Sequence, residues 1–290
     1  MSDGGTGTSD AYDWARPLWI PGATDDADPF ERGDAFVHFV AFGVTADELE
    51  VDPETYLVRE VPDGVEAIDV DEGWIETLFE PPMGDVLRVP DPLVAALCET
   101  ADRAIVVSGS IEDPPTLDYL RDCIGIVTAA LDTGGLGVLS LQSLSLFSPD
   151  RWRTEIFAGG PDVARRLVAV LYSEDETVAP AAVASGPATG GGADTDTSGD
   201  DHAGVLWVHT RGMRLFGRPD LSIRAVPADQ LDRANHLCQA LVERLAGGVR
   251  VPDGASMDLG AGLGSITFAH AGHLDDPEFN NVHLAIQWPT

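Results

Sequence analysis

The sequence predicts an α+β protein of two similar halves, each an antiparallel sheet with helices packed on one face, the two sheets either separate or shared as one. Three observations predict it. Hydrophobic residues make up 44% of the 290-residue chain and the mean hydropathy is zero, enough apolar surface for a core despite a large acid excess. The order is strand, helix, strand before a Gly-, Pro- and acid-rich stretch, and strands, helix, strands after it. Two segments carry a single apolar stripe at helical spacing.

Residues 1–13 are Gly, Ser, Thr and Asp with little to bury and are expected to be a disordered tail, so that the first half spans 14–173. Ala35 to Phe42, AFVHFVAF, reads as a buried strand. Between 51 and 90, short apolar pieces alternate with Asp, Glu, Gly and Pro, as in YLVREVPDG and VEAIDVDEG, and read as short strands and turns. RAIVVSGS at 103–110 is a strand, and Leu117, Leu120, Ile124, Val127 and Leu131 then mark a helix with one buried stripe. GGLGVLSLQ is another strand. Ser148 followed by Pro149 is an N-cap and first-turn signal for a short helix through RWRTEIF. Residues 167–172 fit a strand or the end of a helix.

Residues 174–202 hold small residues, Gly, Pro and acids without a large apolar anchor, and are expected to be a disordered linker or a long loop. The second half, 203–290, opens with the strands GVLWVHT and LSIRAV around a Gly-punctuated turn. Leu231, Ala234, Cys238, Leu241 and Leu245 form the stripe of a second helix, and LGSITFAH and NNVHLAIQW supply two final strands.

Composition excludes several function classes. The chain has 49 acidic and 17 basic side chains, all of the latter arginine, for a net charge of −32. Without lysine there is no Schiff base, no phosphate-loop lysine and no lysine general base. A surface this acidic repels a polyanion, so no nucleic-acid partner is expected. The composition resembles that of cytosolic proteins from salt-accumulating halophiles, where the charge is an adaptation to the solvent. Cys98, Cys123 and Cys238 stand apart in apolar contexts with no CxxC, which fits small core positions in a reducing cytosol. The N-terminus lacks a signal-peptide pattern, and no apolar run approaches the roughly 20 residues that span a bilayer. A cytoplasmic protein with no membrane partner is expected.

Few motifs carry chemistry. MDLGAGLGS at 257–265 looks like a methyltransferase glycine motif, but the β-branched SITFAH that follows is no helix start, so a Gly-containing hairpin or bulge is the better reading and no cofactor is implied. His270, His273 and His283, with Asp275, Asp276 and Glu278 between them, could ligate a divalent ion, although on strands His270 and His273 would face opposite ways. No GxSxG occurs, and Ser108 has no flanking pattern that singles it out. The densest polar cluster is HTRGMRLFGRPDLSIR, 209–224, with Arg211, Arg214, Arg218 and Arg224. Its guanidinium groups either grip a carboxylate or phosphate bidentately or pair with the chain's own carboxylates.

HTRGMRLFGRPDLSI, with the terminal NNVHLAIQWP and the earlier GGLGVLSLQSLSLFSPDRWR, resembles an uncharacterised family of prokaryotic domains of unknown function that has a His-Thr-x-Gly-Met-x-x-Phe-Gly-Arg-Pro-Asp-Leu signature. The resemblance covers about residues 100–290. It implies a shared α+β fold and a role for His209, Gly212, Phe216, Gly217, Arg218, Pro219 and Asp220, but no reaction. Charge points to the same segment: residues 1–150 carry a net −25, residues 202–290 only −2. The expected function is non-enzymatic binding of a protein partner or a small anionic ligand, through His209, Arg211, Arg214, Arg218, Asp220, Asn280, Asn281 and His283. The alternative is a metal-dependent hydrolase using His209, His270, His273 or His283.

Overall fold

The computed structural model describes residues 33–112, 114, 116–159, 163–175, 205–259, 264–275 and 279–289. The expected N-terminal tail and nearly all of the expected linker lie outside the described residues.

Strands β1 (Ala35–Phe42), β2 (Val65–Asp71), β3 (Arg103–Ile111), β4 (Gly137–Ser140) and β5 (Ser145–Phe147) form one sheet in the order β2-β3-β1-β4-β5, antiparallel at every junction. Strands β6 (Ala169–Glu174), β7 (Val205–Arg211), β8 (Asp220–Pro227), β9 (Ser256–Asp258), β10 (Ser265–Gly272) and β11 (Val282–Gln287) form a second, in the order β6-β7-β8-β11-β10-β9. The helices are α1 (Pro53–Tyr56), α2 (Glu72–Phe79), α3 (Met83–Arg88), α4 (Pro92–Glu99), α5 (Asp118–Asp132), α6 (Pro149–Arg151), α7 (Ala164–Leu167) and α8 (Leu231–Ala246), with α6 running on into a π-helical turn, Trp152–Phe157.

The α+β class holds, and of the two arrangements left open the sheets are separate. Three details differ from the expectation. The second is mixed, because the chain from β8 runs through α8 and the β9–β10 hairpin before β11 returns parallel to β8, the kind of long crossover a parallel neighbour requires. Strand β6 precedes the acidic stretch yet pairs with β7, so the second sheet begins before residue 174. The first sheet is covered on both faces: Val37, Phe39 and Ala41 of β1 join the core that holds α5, while Val40 and Phe42 join the core built by α2, α3 and α4.

Local chemistry explains most elements. Helix α8 buries Ala234, Cys238, Leu241 and Leu245, as its stripe requires. Helix α5 buries Leu120, Ile124, Val127 and Leu131 of the expected stripe together with Tyr119, Asp122, Cys123, Gly125, Ile126 and Thr128, so it is enclosed on nearly every side and not along one stripe, and Leu117 stands at its N-cap. The Ser148 hydroxyl caps α6 by accepting from Arg151 N at 3.3 Å, with Pro149 at the first helical position. Residues 167–172 prove to be both alternatives, the end of α7 followed by β6. Helices α1 to α3 stand between 51 and 90, where short strands and turns were expected, and a fourth short helix, α4, follows. Asp71 and Asp91 cap two of them, accepting from Trp74 N at 3.0 Å and Val94 N at 3.1 Å. β9 and β10 pair as a hairpin, as read for the glycine-rich 257–265, whose residues 260–263 lie outside the described residues.

The two sheets meet at the turn Met213–Phe216. Tyr119 Oη of α5 donates to Leu215 O at 2.6 Å, joining the halves through a bond between residues 96 positions apart.

Candidate functional site

The signature segment is a tight β7–turn–β8 connection whose backbone demands its glycines. Gly212 (φ +114°) and Gly217 (φ +59°) bracket the 3-10 turn Met213–Phe216 in left-handed conformations. A Cβ on Gly217 would lie 1.9 Å from Gly33 O, and one on Gly212 2.7 Å from Leu167 O, so close backbone approach adds to the requirement.

Asp220, at the start of β8, is the centre of a buried knot. Its Oδ1 accepts from Thr210 Oγ1 at 2.9 Å and from Met213 N at 3.3 Å, and its Oδ2 accepts from Asn281 Nδ2 at 2.8 Å. Thr210 Oγ1 in turn accepts from Leu221 N at 2.8 Å, and Asn281 Nδ2 also donates to Arg218 O at 2.8 Å. Burial pushes the Asp220 carboxyl up to about 7, against the pull of these hydrogen bonds and of Arg211.

Arg218 is also inside. Its Nε donates to Leu245 O at 3.0 Å, in the last turn of α8, and an Nη to Gly217 O at 2.8 Å. A cation there complements the helix C-terminus. Arg214 donates to Asn280 O at 3.0 Å and to Leu274 O at 3.4 Å, with its guanidinium 4.9 Å from the Phe36 ring centre. These contacts tie β1, the signature turn and the β10–β11 connection together. Arg218 and Asn281 are thus placed where a docking protein does not reach them.

The face of the second sheet turned away from α8 carries a ladder of rings. Trp207 and His209 stack at 4.0 Å, Phe279 and His283 at 4.2 Å, and Phe279 meets the His209 ring edge-on at 5.7 Å. Trp207 Nε1 donates to Ser222 Oγ at 2.9 Å. Arg224 lies 3.9 Å over the Trp207 ring and pairs with the buried Asp175 at 3.2 Å. Burial, with help from Arg211, Arg224 and His283, lowers the His209 pKa to about 4, so its imidazole is neutral around pH 7. His209 Nδ1 is buried without a hydrogen-bond partner.

A cleft of about 140 Å³ opens where this ladder meets the first sheet. On one side stand His38 of β1 and Leu141 and Gln142 of the β4–β5 connection, with Gln142 Nε2 donating to Phe36 O. On the other stand Arg211, Gly212, Asp220, Phe279 and Asn280. Burial lowers the His38 pKa, which keeps this imidazole neutral as well. Arg211 Nε and, beside Gly212, Ser143 Oγ are buried without hydrogen-bond partners. A larger groove of about 340 Å³ lies between residues 59–63 and 114–122, but its polar groups are satisfied: Arg59 pairs with Asp118, and Asp122 accepts from Val58 N at 2.6 Å and Arg59 N at 3.3 Å.

The remaining candidates separate. His270 Nε2 bonds Val251 O at 2.8 Å and projects from the sheet face opposite to His283, since its register partner is Leu284 and that of His283 is Ala271. His273 is exposed beyond the end of β10. No group of three or more His, Cys, Asp or Glu that could hold a metal occurs among the described residues, and Asp276 and Glu278 lie outside them. Cys98, Cys123 and Cys238 are unbridged and buried, and burial pushes the thiols of Cys98 and Cys238 up to about 12.

Of the eight residues singled out by sequence, Arg211, Asp220 and Asn280 reach the cleft, His209 and His283 the adjoining ladder, and Arg214, Arg218 and Asn281 the scaffold beneath. His38, Gln142, Trp207 and Phe279 were not foreseen. A histidine inside the otherwise apolar AFVHFVAF was the one signal among them. Comparison with protein-family models, with curated proteins and with solved structures finds no match, so the cleft is read from its own chemistry.

Proposed function

We propose that the protein binds a small anionic ligand in the cleft between its sheets, with Arg211 as the counter-ion. One observation carries the reading. Arg211 lines the cleft, among the described residues it forms no ion pair, and its buried Nε has no hydrogen-bond partner. An unsatisfied buried donor costs about 1–3 kcal/mol, and a carboxylate or phosphate oxygen in the cleft would satisfy it. The orphaned Ser143 hydroxyl nearby points the same way. Protein docking through the whole arginine cluster has less support, because Arg214 and Arg218 already hold backbone carbonyls. A metal-dependent hydrolase also has less, because His270 and His283 project from opposite faces. A cytosolic setting belongs to the reading, supported by three unbridged cysteines. Among the described residues no helix is long and apolar enough to cross a membrane.

The test is thermal unfolding of the full chain with acetate, propionate or phosphate at fixed ionic strength. At least one anion should raise Tm, since ligand at about 100 times Kd adds roughly 2.7 kcal/mol. Arg211→Gln should abolish that shift while leaving the ligand-free Tm in place. An equal shift in both proteins, or none with any anion, overturns the reading.

A further inference from the structure

The cleft carries both signs of charge. Arg211 and the buried Asp220 line the same cavity, and no ion pair joins them. A carboxylate offers about four acceptor positions. Three at Asp220 are taken, by Thr210 Oγ1, Met213 N and Asn281 Nδ2, which leaves one for a further donor. The other groups that face Asp220 do not supply a charge to occupy it. His38 across the cleft is held neutral by burial, as is His209 two strand positions from Arg211, and the Gln142 and Asn280 amides carry no charge. His283 is the register partner of Asp220 on β11.

Size and apolar surface narrow the ligand. A cavity near 150 Å³ holds about six non-hydrogen atoms, as benzene in an engineered cavity illustrates, and this cleft measures about 140 Å³. Leu141 and Phe279 supply a short apolar surface between the charged groups. A bare phosphate would use Arg211 but would crowd a second anion against Asp220 with nothing to offset it.

We infer that the ligand is a small zwitterion, an α-amino acid about the size of glycine, alanine or serine, with its carboxylate on Arg211 and its ammonium on the open position of Asp220. This rests on the reading above, that Arg211 is the counter-ion of a ligand in this cleft. It adds the second charge and a limit on size.

The ligand series is the test, because Asp220 variants strip the buried knot of its common acceptor and so change the fold along with the site. Calorimetry on the full, unmodified chain compares L-alanine with propionate, which shares the carboxylate and carbon chain but lacks the ammonium. L-alanine should bind about tenfold tighter or more, the scale of one charge-assisted contact. Its affinity should rise between about pH 6 and pH 8, where Asp220 gives up its proton, while that of propionate falls. L-leucine, too large for the cleft, should bind at least about tenfold more weakly than L-alanine, the order expected when a side chain overfills a closed site. Propionate binding as well as L-alanine overturns the zwitterion, L-leucine binding as well as L-alanine overturns the limit on size, and either result leaves the anion site standing. If no probe binds, both readings fall.

Discussion

Seven arginines of the first half and the four of residues 211–224 serve different ends, while Arg121 of α5 is half-buried over the Phe157 ring. Arg59, Arg88, Arg103, Arg151, Arg153, Arg165 and Arg166 each meet a carboxylate at the protein surface. Such pairs are screened by salt and each contributes about 0–1 kcal/mol. In the signature segment the cations turn inward. Arg218 holds the end of α8, Arg214 holds two backbone carbonyls, Arg224 lies between Trp207 and the buried Asp175, and Arg211 opens onto the cleft. Within residues 211–224 the cations are thus drawn into the fold and the cleft instead of to surface carboxylates.

The largest effect should come from the knot. Arg218→Ala removes a buried cation from the α8 C-terminus and from Gly217 O, and Asp220→Ala strips Thr210, Met213 and Asn281 of their common acceptor. Breaking a buried charged network in this way costs about 3–5 kcal/mol. Urea unfolding of each variant measures it. A loss below about 1 kcal/mol would put these residues in the same class as the surface pairs and erase the contrast.

Next comes a dependence on pH. His209 titrates near 6.5 in the unfolded chain and at about 4 in the folded one, so between those values the unfolded chain binds more protons. The contribution of neutral His209 is therefore complete above about pH 6.5 and is lost as pH falls towards 4. Asp220 acts in the opposite sense: its folded pKa is raised to about 7, so its contribution is greatest at low pH and declines as pH rises from about 4 to 7. His209→Phe keeps an aromatic ring against Trp207 and Phe279 but removes the titration. The stability advantage of the native protein over this variant should shrink as pH drops from 6.5 to 4, and a constant difference would show that His209 does not titrate as its burial demands.

How much of this the sequence disclosed depended on length and on chain separation. α5 and α8 run four turns or more, so their apolar stripes repeat often enough to be read. α2, α3 and α4 are six to eight residues long, too short for a period to show, and the legible signal was the pair of cap residues Asp71 and Asp91. In the site, Arg211 and Asp220 were visible because one short turn carries both. His38 comes from β1, Gln142 from the β4–β5 connection and Phe279 from the β10–β11 connection, and no spacing links them to residues 211–220. Asn281 could be named but not placed, since its bond to Asp220 depends on β11 lying parallel to β8.

A smaller change is expected for ligand-free Arg211→Gln, which should lower stability by no more than about 0.5 kcal/mol, because it removes an unsatisfied buried donor and, of interactions with carboxylates among the described residues, only a pull on Asp220. Calorimetric unfolding without ligand checks it. A marked loss would move Arg211 into the scaffold with Arg218 and leave the cleft without its counter-ion.

The smallest effect belongs to Arg166→Ala. Arg166 meets Glu155 Oε2 at 3.2 Å, but Arg151 meets the same oxygen at 3.1 Å, so the carboxylate keeps a cation when Arg166 is removed. Both arginines are well exposed, and the remaining Arg151–Glu155 pair has the helical i,i+4 spacing worth about 0.3–0.5 kcal/mol. The cost of Arg166→Ala should therefore be within about 0.5 kcal/mol at low salt and should vanish at about 1 M, where the Debye length is near 3 Å. Urea unfolding at both salt concentrations separates the two kinds of arginine: the Arg218→Ala loss should persist at high salt because its partners are buried carbonyls, whereas a salt-resistant loss at Arg166 would show that burial was the wrong basis for dividing them.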